Sequence, residues 1–263
     1  MPTLNRNDVH AQEVSFLPLP EQRAIAAILS TWDEAITLTT RLIDALKRRK
    51  AALMQLLLTG EVRFSEFDGA WEEVEIGSLL RESRVVGSNG ANAQKLTVKL
   101  YGKGVISKVE AKAGSKNTAY YVRKAGQFIY SKLDFLNGAF GIIPQHLDGY
   151  ETTLDLPTFD ISTAVNAAFL LGYMKREDFY KRFAADARGG RKARRIQPSE
   201  FLDFSIPLPI PEEQTRISEV ISVFEQQEFL LNELLNTTVS QKRGLMQQLL
   251  TGAIRVQVGG DAT

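Results

Sequence analysis

Positive charge is concentrated in two blocks of the 263-residue chain. Between Arg81 and Lys132 there are eleven lysines and arginines but only two acidic residues. The second block, Arg188 to Arg195, places five positive charges in eight residues around the pair Gly189-Gly190. Cations on loops beside aromatic residues are suited to contacts with phosphates and base edges. Although the net charge is only +1, this distribution predicts a basic face that binds nucleic acid.

The candidate binding residues are lysines and tyrosines in the first block and a cation-rich glycine loop in the second. Lysine acts as a point charge on phosphate, whereas arginine can fork onto a guanine edge or a phosphate. Paired glycines allow the backbone to approach a ligand closely. The alternatives are a solvated lysine-rich sheet face and a surface loop with incidental charge. The candidates are Lys99, Lys103, Lys108, Lys112, Lys116, Tyr120, Tyr121, Lys132, Arg188, Arg191, Lys192, Arg194 and Arg195.

Motifs for catalysis are absent from the sequence. It contains no G-x-x-x-x-G-K-[ST] phosphate loop, and Gly102-Lys103-Gly104 lacks the third glycine of a dinucleotide-binding turn. Glu110-Ala111-Lys112 matches the end of a nuclease core, but no Pro-Asp precedes it to hold the metal. His146 and Asp148 have no accompanying nucleophile, so a structural histidine is the preferred interpretation. We therefore expect a protein that binds and has no catalytic or metal site of its own.

The composition narrows the class of protein further. There is no cysteine, which excludes disulfides and thiolate metal sites, and only two histidines are present. No apolar run approaches the roughly 20 residues that cross a bilayer, and the N-terminus lacks an apolar signal segment. These features predict a cytoplasmic protein with no membrane association.

An internal repeat surrounds the basic region. Glu21-Gln22-Arg23-Ala24-Ile25 recurs as Glu213-Gln214-Thr215-Arg216-Ile217, and the octet Leu53 to Gly60 recurs as Leu245 to Gly252 with seven of eight residues identical. Both pairs have the same offset of 192 residues, so the repeat needs no gap. A proline-rich stretch precedes each copy. Two similar elements therefore flank a different one.

Each copy of the repeat predicts one long helix, with proline at its start and glycine at its end. Apolar residues at spacings of three, four and seven form a narrow seam, which is typical of a coiled-coil partner. Polar seam positions such as Thr39, Lys50, Gln227 and Lys242 could fix the register. A simple helical hairpin scaffold is the alternative. The predicted seam residues are Ile25, Ile28, Trp32, Ala35, Leu42, Leu46, Leu53 and Leu57 in the first copy, and Ile217, Val220, Phe224, Leu231, Leu234, Leu245 and Leu249 in the second.

The region between the copies has short strand-like runs separated by glycine and asparagine. It predicts a mixed α+β domain with an irregular, twisted sheet. The expected strands lie at residues 71–76, 96–101, 104–109, 119–122 and 128–130, with another after the turn at 138–144, and helices at 164–174 and 176–185. The fold class is therefore α+β, with one globular domain flanked by two long helices that pair as an antiparallel coiled coil.

These features together resemble the specificity subunits of type I restriction–modification systems. The resemblance rests on the proline-rich lead-in, Glu-Gln-x-x-Ile and the closing Leu-Leu-Thr-Gly of both copies. In the middle it rests on Tyr130-Ser131-Lys132-Leu133, Asn137-Gly138-Ala139-Phe140-Gly141 and Arg194-Arg195-Ile196-x-Pro198. It implies a target recognition domain that reads double-stranded DNA and a subunit that docks modification (methyltransferase) subunits. S-adenosylmethionine and ATP would then be held by the modification and restriction subunits, with no cofactor on this chain.

The sequence departs from that family by having one recognition domain where a usual member has two. We predict a lead-in at residues 1–16, spacer helices at 17–63 and 206–257, a recognition domain at 64–205 and a disordered tail at 258–263. Residues 1–16 resemble the end of a missing recognition domain. A homodimer would restore two readers and recognise an inverted-repeat, bipartite site. The alternatives are a coiled-coil adaptor whose middle domain binds protein, and an unusual single-chain nuclease or methyltransferase.

Overall fold

The computed structural model describes residues 10–11, 16–109, 114–185 and 195–257. The chain divides into two compact units, one made of Met1–Arg49 with Glu225–Thr263 and the other of Lys50–Phe224. Two long helices, α1 (Leu19–Thr59) and α6 (Pro211–Leu250), contribute residues to both units. The predicted tail and most of the predicted lead-in lie outside the described residues.

Both long helices begin and end in the same way. Each has proline in its first turn, Pro20 in α1 and Pro211 in α6, where a missing N–H costs no hydrogen bond. After the last turn, Gly60 and Gly252 have φ values of 74° and 73°, in the left-handed region that glycine adopts without a steric cost. The two long helices predicted from the repeat are therefore confirmed, and each is followed by the predicted glycine.

Within the first unit, α1 and α6 run antiparallel. Residue numbers rise along α1 as those of their partners in α6 fall, since Asp33 pairs with Lys242 and Lys47 with Glu228. Ile25, Ile43 and Leu249 are buried in this unit. Lys242, predicted to be a polar seam position, pairs with an aspartate of α1 and so contributes to the register. The predicted antiparallel pairing is confirmed. Among the described residues, ion pairs of Asp33 with Lys242 and of Lys47 with Glu228 join the two helices. A further pair, Glu21 with Arg255, joins the start of α1 to the segment after α6.

The apolar seam differs in detail from the predicted one. Leu42 is 54% exposed, whereas its neighbour Ile43 is only 4% exposed. A straight helix has 3.6 residues per turn, so positions chosen at strict multiples of seven drift away from the contact face. The prediction was therefore wrong by one residue at several positions. The predicted seam residues that are instead exposed are Ala35, Leu42 and Leu234.

The second unit holds the domain between the repeats. Among its described residues, eleven strands form four small antiparallel sheets with the orders β1-β11, β2-β10-β7-β8, β3-β6-β9 and β4-β5. The strands are β1 (Glu72–Glu75), β2 (Leu80–Glu82), β3 (Val86–Asn89), β4 (Leu96–Val98), β5 (Val105–Ser107), β6 (Ala119–Val122), β7 (Phe128–Tyr130), β8 (Phe140–Ile142), β9 (Glu151–Thr152), β10 (Thr158–Ile161) and β11 (Ser205–Leu208). The helices are α2 (Ile76–Leu79), α3 (Ala167–Met174), α4 (Glu177–Ala185) and α5 (Pro198–Leu202), with 3₁₀ turns at Phe135–Asn137 and Gln145–Leu147.

An aromatic cluster forms the core of this domain. Phe128 stacks on Phe201 with ring centres 5.7 Å apart, and Tyr130 stacks on Phe159 at 5.8 Å. The Tyr130 hydroxyl donates to the Ile196 carbonyl at 3.2 Å, and burial raises the pKa of Tyr130. Each fully buried aromatic side chain contributes about 1.5–3 kcal/mol through removal from water. The core therefore holds β7, β10 and α5 together and fixes the loops that leave them.

The predicted α+β class is confirmed, and several strands lie where the sequence placed them. Strand β6 matches 119–122 and β7 matches 128–130, while β4 and β5 are shorter than predicted because residues 99–104 form a turn instead of extending both strands. No helix in the described part of the chain is long and apolar enough to cross a membrane.

Candidate nucleic-acid interface

The turn between β4 and β5, residues 100–104, is called the hairpin tip here. The Lys99 N–H donates to the Gly104 carbonyl at 2.9 Å and closes the turn. At the tip, Tyr101 has a φ of 60° and is 70% exposed. A left-handed conformation is uncommon for a bulky non-glycine residue, and such outliers cluster at functional sites.

The hairpin tip is held against the loop that precedes β8. The Tyr101 N–H donates to the Asn137 carbonyl and the Gly102 N–H to the Gly138 carbonyl, both at 2.8 Å. Gly138 itself has a φ of 68°, and a Cβ added there would lie 3.3 Å from the Tyr101 Cα. Glycine is therefore needed at residue 138 both for the backbone conformation and for the close approach of the tip.

Cations surround the hairpin tip. Lys99 and Lys103 are exposed, and the Lys103 Nζ lies 5.8 Å from the centre of the Tyr101 ring. The Lys175 side chain packs against Gly102, where an added Cβ would lie 3.2 Å from its Cγ. The structure thus brings together two predicted lysines with Tyr101 and Lys175, which the sequence analysis did not select.

Lys132 and Arg195 also lie close to each other. The Lys132 carbonyl accepts from the Ile196 N–H at 3.0 Å, and Arg195 forms a 2.6 Å ion pair with Asp155. The neighbouring Ser131 N–H donates to the Ala139 carbonyl, next to the residues that support the hairpin tip. The arginine-rich segment ends directly at this point. Its predicted members Arg188, Arg191, Lys192 and Arg194 lie outside the described residues, as does Lys112.

A second group of predicted residues lies at the base of the same hairpin and near the start of β6, where the Lys108 N–H donates to the Lys95 carbonyl at 2.7 Å. Lys108 and Tyr120 line a small pocket together with Lys95 and Thr152. The Lys95 side chain is buried, with its Nζ 5.3 Å from the centre of the Tyr120 ring. Lys116 is exposed on the turn before β6. These residues form a basic group that can neutralise phosphates, although one of its cations is shielded from solvent.

Tyr121 is placed beside a buried cation. Its ring centre lies 5.7 Å from the guanidinium of Arg123, which is 0% exposed. The Arg123 side chain donates to the Thr152 hydroxyl at 2.7 Å and the Ser83 carbonyl at 2.8 Å. Desolvation lowers the pKa of Arg123 to about 10, so it is still charged at neutral pH. This arrangement supports the folding of the sheet that carries Tyr121.

Metal binding and acid–base catalysis both need polar side chains that are grouped together. Among the described residues, no group of three histidine, cysteine, aspartate or glutamate side chains is arranged to hold a metal ion. His146 is exposed, and Asp148 accepts from the backbone N–H of Ala125 at 2.8 Å. The motif Glu110-Ala111-Lys112 lies outside the described residues.

The domain is fastened to the start of α6 by a polar group. Arg63 donates from Nε and Nη2 to the two carboxylate oxygens of Glu213, at 2.8 and 2.6 Å. The Trp71 indole N–H donates to the same carboxylate at 3.0 Å. Such a bidentate pair fixes geometry as well as charge.

A hydrogen bond and an apolar contact attach helix α3 to α6 beside this group. The Asn166 N–H donates to Gln214 Oε1 at 2.7 Å, and Asn166 caps α3. A Cβ added to Gly172 of α3 would lie 2.9 Å from Ile221 Cδ1, close to the buried Leu58. Helix α3 therefore packs directly on the second repeat, with Asn166 and Gln214 hydrogen-bonded to each other beside it.

The first repeat carries the equivalent residues in the other unit. Arg255 donates from Nε and Nη2 to Glu21 at 2.8 and 2.6 Å, the same two distances as in the Arg63–Glu213 pair. An apolar pocket, called the Leu250 pocket here, lies beside the Arg255–Glu21 pair. Leu250 is 63% exposed, whereas its counterpart Leu58 is 1% exposed. The pocket is lined by Phe16, Leu17, Gln22, Ile25, Ala26, Leu29 and Leu250.

Comparison with known proteins gives a consistent fold. No family model matches the sequence. The chain is similar to the HsdS subunit from Thermoanaerobacter tengcongensis, with a TM-score of 0.51, 18% identity and 97% of this chain covered. It is also similar to a chain of a type I restriction–modification system solved to explain its assembly and conformational transition, with a TM-score of 0.56, 19% identity and 98% coverage. A third similar chain is the type I S subunit from M. genitalium, with a TM-score of 0.56, 13% identity and 97% coverage.

The fold is therefore that of a type I specificity subunit. This chain spans 64%, 65% and 66% of the length of the three solved chains, or slightly less than two thirds.

Proposed function

We propose that this chain is a sequence-specific DNA-recognition subunit that directs type I methylation and restriction and carries out no catalysis itself. The observation that carries the proposal is the exposed, cation-surrounded hairpin tip, on a domain held between the two repeats of a specificity-subunit fold. Lysines at the tip would neutralise phosphates and set the position of the domain on the duplex. The aromatic side chain at the tip and the arginines predicted between Arg188 and Arg195 would read the bases.

The partners follow from the same proposal. Modification subunits would supply S-adenosylmethionine and the methyl-transfer chemistry, and restriction subunits would supply ATP-driven cleavage. The first unit offers a contact surface for them, because several large apolar side chains on its helices are exposed. Contiguous exposed apolar residues are characteristic of protein-binding surfaces. Those residues are Leu38, Leu42, Phe229, Leu230 and Leu234.

We further propose that two copies of the chain associate to read a bipartite, inverted-repeat site. The seam of α1 and α6 is used within the chain, so the association needs another surface. The Leu250 pocket supports this step, because the equivalent surface of the second repeat is covered by the recognition domain. Two copies joined by these pockets would present two recognition domains related by a two-fold axis, which matches an inverted repeat in DNA.

The experiment that tests the proposal is co-expression with a cognate modification subunit in a host without DNA methylation, followed by sequencing for methyladenine. We expect methylation of one split, palindromic motif. A motif that is split but asymmetric would contradict the dimer while keeping the recognition role. Co-purification of the subunits without any methylation, together with DNA binding that does not weaken as salt rises, would contradict the DNA-binding proposal.

A further inference from the structure

We infer that Tyr101 is the residue of the hairpin tip that contacts the bases of DNA, an inference that rests on the proposed function. Its backbone lies in the left-handed region at a φ of 60°, and its side chain is 70% exposed. Burial of the ring therefore does little to offset the unfavourable conformation. Glycine or asparagine would adopt this backbone at a lower cost. A tyrosine in this place is explained by contact with a ligand better than by folding.

The backbone of the hairpin tip is also held in place by hydrogen bonds, which fixes the position from which the Tyr101 side chain projects. The two N–H groups of Tyr101 and Gly102 donate to consecutive carbonyls, those of Asn137 and Gly138, and a third backbone hydrogen bond closes the turn at Gly104. The hairpin also packs closely on β8, because a Cβ added to Gly141 would lie only 3.1 Å from the Val105 side chain. Because the backbone of the tip is already ordered, DNA binding costs little backbone conformational entropy there. That cost therefore offsets little of the favourable free energy of a contact made by Tyr101.

The charges around the tip indicate which kind of ligand would meet the ring. Lys99 and Lys103 are exposed on the tip or at its base, and Lys175 packs against Gly102. A phenol among cations fits a polyanion that also has flat aromatic bases. The cations would contact phosphates, while the phenol enters a groove and offers a ring face and one hydroxyl to a base.

The test compares DNA binding by the complex of this chain with its modification subunits. The DNA probes are a duplex with the methylated motif found by the co-expression experiment and a duplex of unrelated sequence. The variant Tyr101→Asn removes the ring and keeps a residue that tolerates the left-handed conformation. We expect its affinity for the motif to fall by about tenfold, the size of one lost base contact, with little change for the unrelated duplex. The thermal unfolding temperature should be unchanged or higher.

A matched control is Ile210→Asn, which also replaces an exposed large side chain, at a position just before α6. It should leave both affinities unchanged. If Tyr101→Asn keeps the full preference for the motif, the inference is wrong while the proposed function stands. If it lowers the unfolding temperature and both affinities alike, Tyr101 has a structural role and the inference is also wrong. A wild-type complex that does not distinguish the two duplexes would overturn the proposed function itself.

Discussion

At the scale of single residues, two glycines distinguish two ways in which an added side chain would destabilise the fold. One is an unfavourable backbone conformation, and the other is a steric clash with a neighbour. Gly138 and Gly126 have similar φ values of 68° and 82°, but only Gly138 lies against another backbone, that of Tyr101. An added Cβ at Gly126 meets no atom within 4 Å. If alanine at residue 138 lowers the free energy of unfolding more than alanine at residue 126, the excess measures the packing of the hairpin tip on Gly138.

We predict that Gly126→Ala lowers the free energy of unfolding by about 1–2 kcal/mol, the cost of a left-handed alanine. Gly138→Ala should cost about 1 kcal/mol more, because the tip must also move away from the new methyl group. Urea denaturation of the two variants and the wild-type chain measures both values. Equal losses would mean that the tip is not packed on Gly138 in solution.

At the scale of the elements, the ends of the two long helices are fastened by the same pair of residue types. The bidentate hydrogen bonds from Arg255 hold the pKa of Glu21 below its ordinary value, with the Val256 N–H adding a further donor. A carboxyl group whose folded pKa is below its unfolded pKa stabilises the folded chain above the unfolded value. That contribution is lost as the pH falls through the lowered pKa.

We therefore predict a pH-dependent effect for Glu21→Gln. At neutral pH the variant should unfold at a lower temperature than the wild type. Below the ordinary carboxyl pKa of about 4.3 the difference should begin to shrink, because the unfolded chain takes up a proton at Glu21. It should be lost as the pH falls through the lowered pKa, where Glu21 is protonated in the folded wild type as well. Thermal unfolding between neutral and acidic pH measures this. Arg255→Ala should show the same convergence, and a difference that stays constant with pH would contradict the role of the pair.

The sequence predicted some elements much better than others, for physical reasons. The repeat located α1 and α6 because helix-start prolines, helix-end glycines and apolar spacing all agree. It could not give the exact seam, which depends on how each helix meets its partner, so Leu42 was chosen where Ile43 is buried. Strands β2, β3, β9 and β10 include charged, polar or glycine residues, so they lack the run of aromatic and β-branched residues that revealed the equally short β6 and β7.

The candidate site was predicted only in part. Lysines and arginines are visible as charge in any sequence, so the two basic blocks could be found. The contribution of Tyr101 depends on a backbone angle and on contacts with Asn137 and Gly138, some 35 residues later in the chain. Its one local signal is the pair of glycines at residues 102 and 104, which first suggested only an incomplete nucleotide-binding turn.

At the scale of the whole molecule, the Leu250 pocket is the feature that bears on assembly. We predict that Leu250→Asp reduces or abolishes association of two copies, because it places a charge in the apolar surface that the copies would bury. Val239→Asp is the matched control, since Val239 is also exposed on α6 but lines neither the pocket nor the surface proposed for the modification subunits. Analytical ultracentrifugation of the chain with its modification subunits gives the number of copies. A mass that is the same for wild type and Leu250→Asp would contradict this use of the pocket.

The two matching arginine–glutamate pairs also have an evolutionary consequence. The repeats act as equivalent joints, because each ends in the same glycine-terminated helix and carries both members of the pair. A gene rearrangement that replaced only the coding segment between them would leave both arginine–glutamate pairs in place. If the proposed function holds, such a chain would acquire a new DNA target in a single exchange, without compensating mutations in the helices.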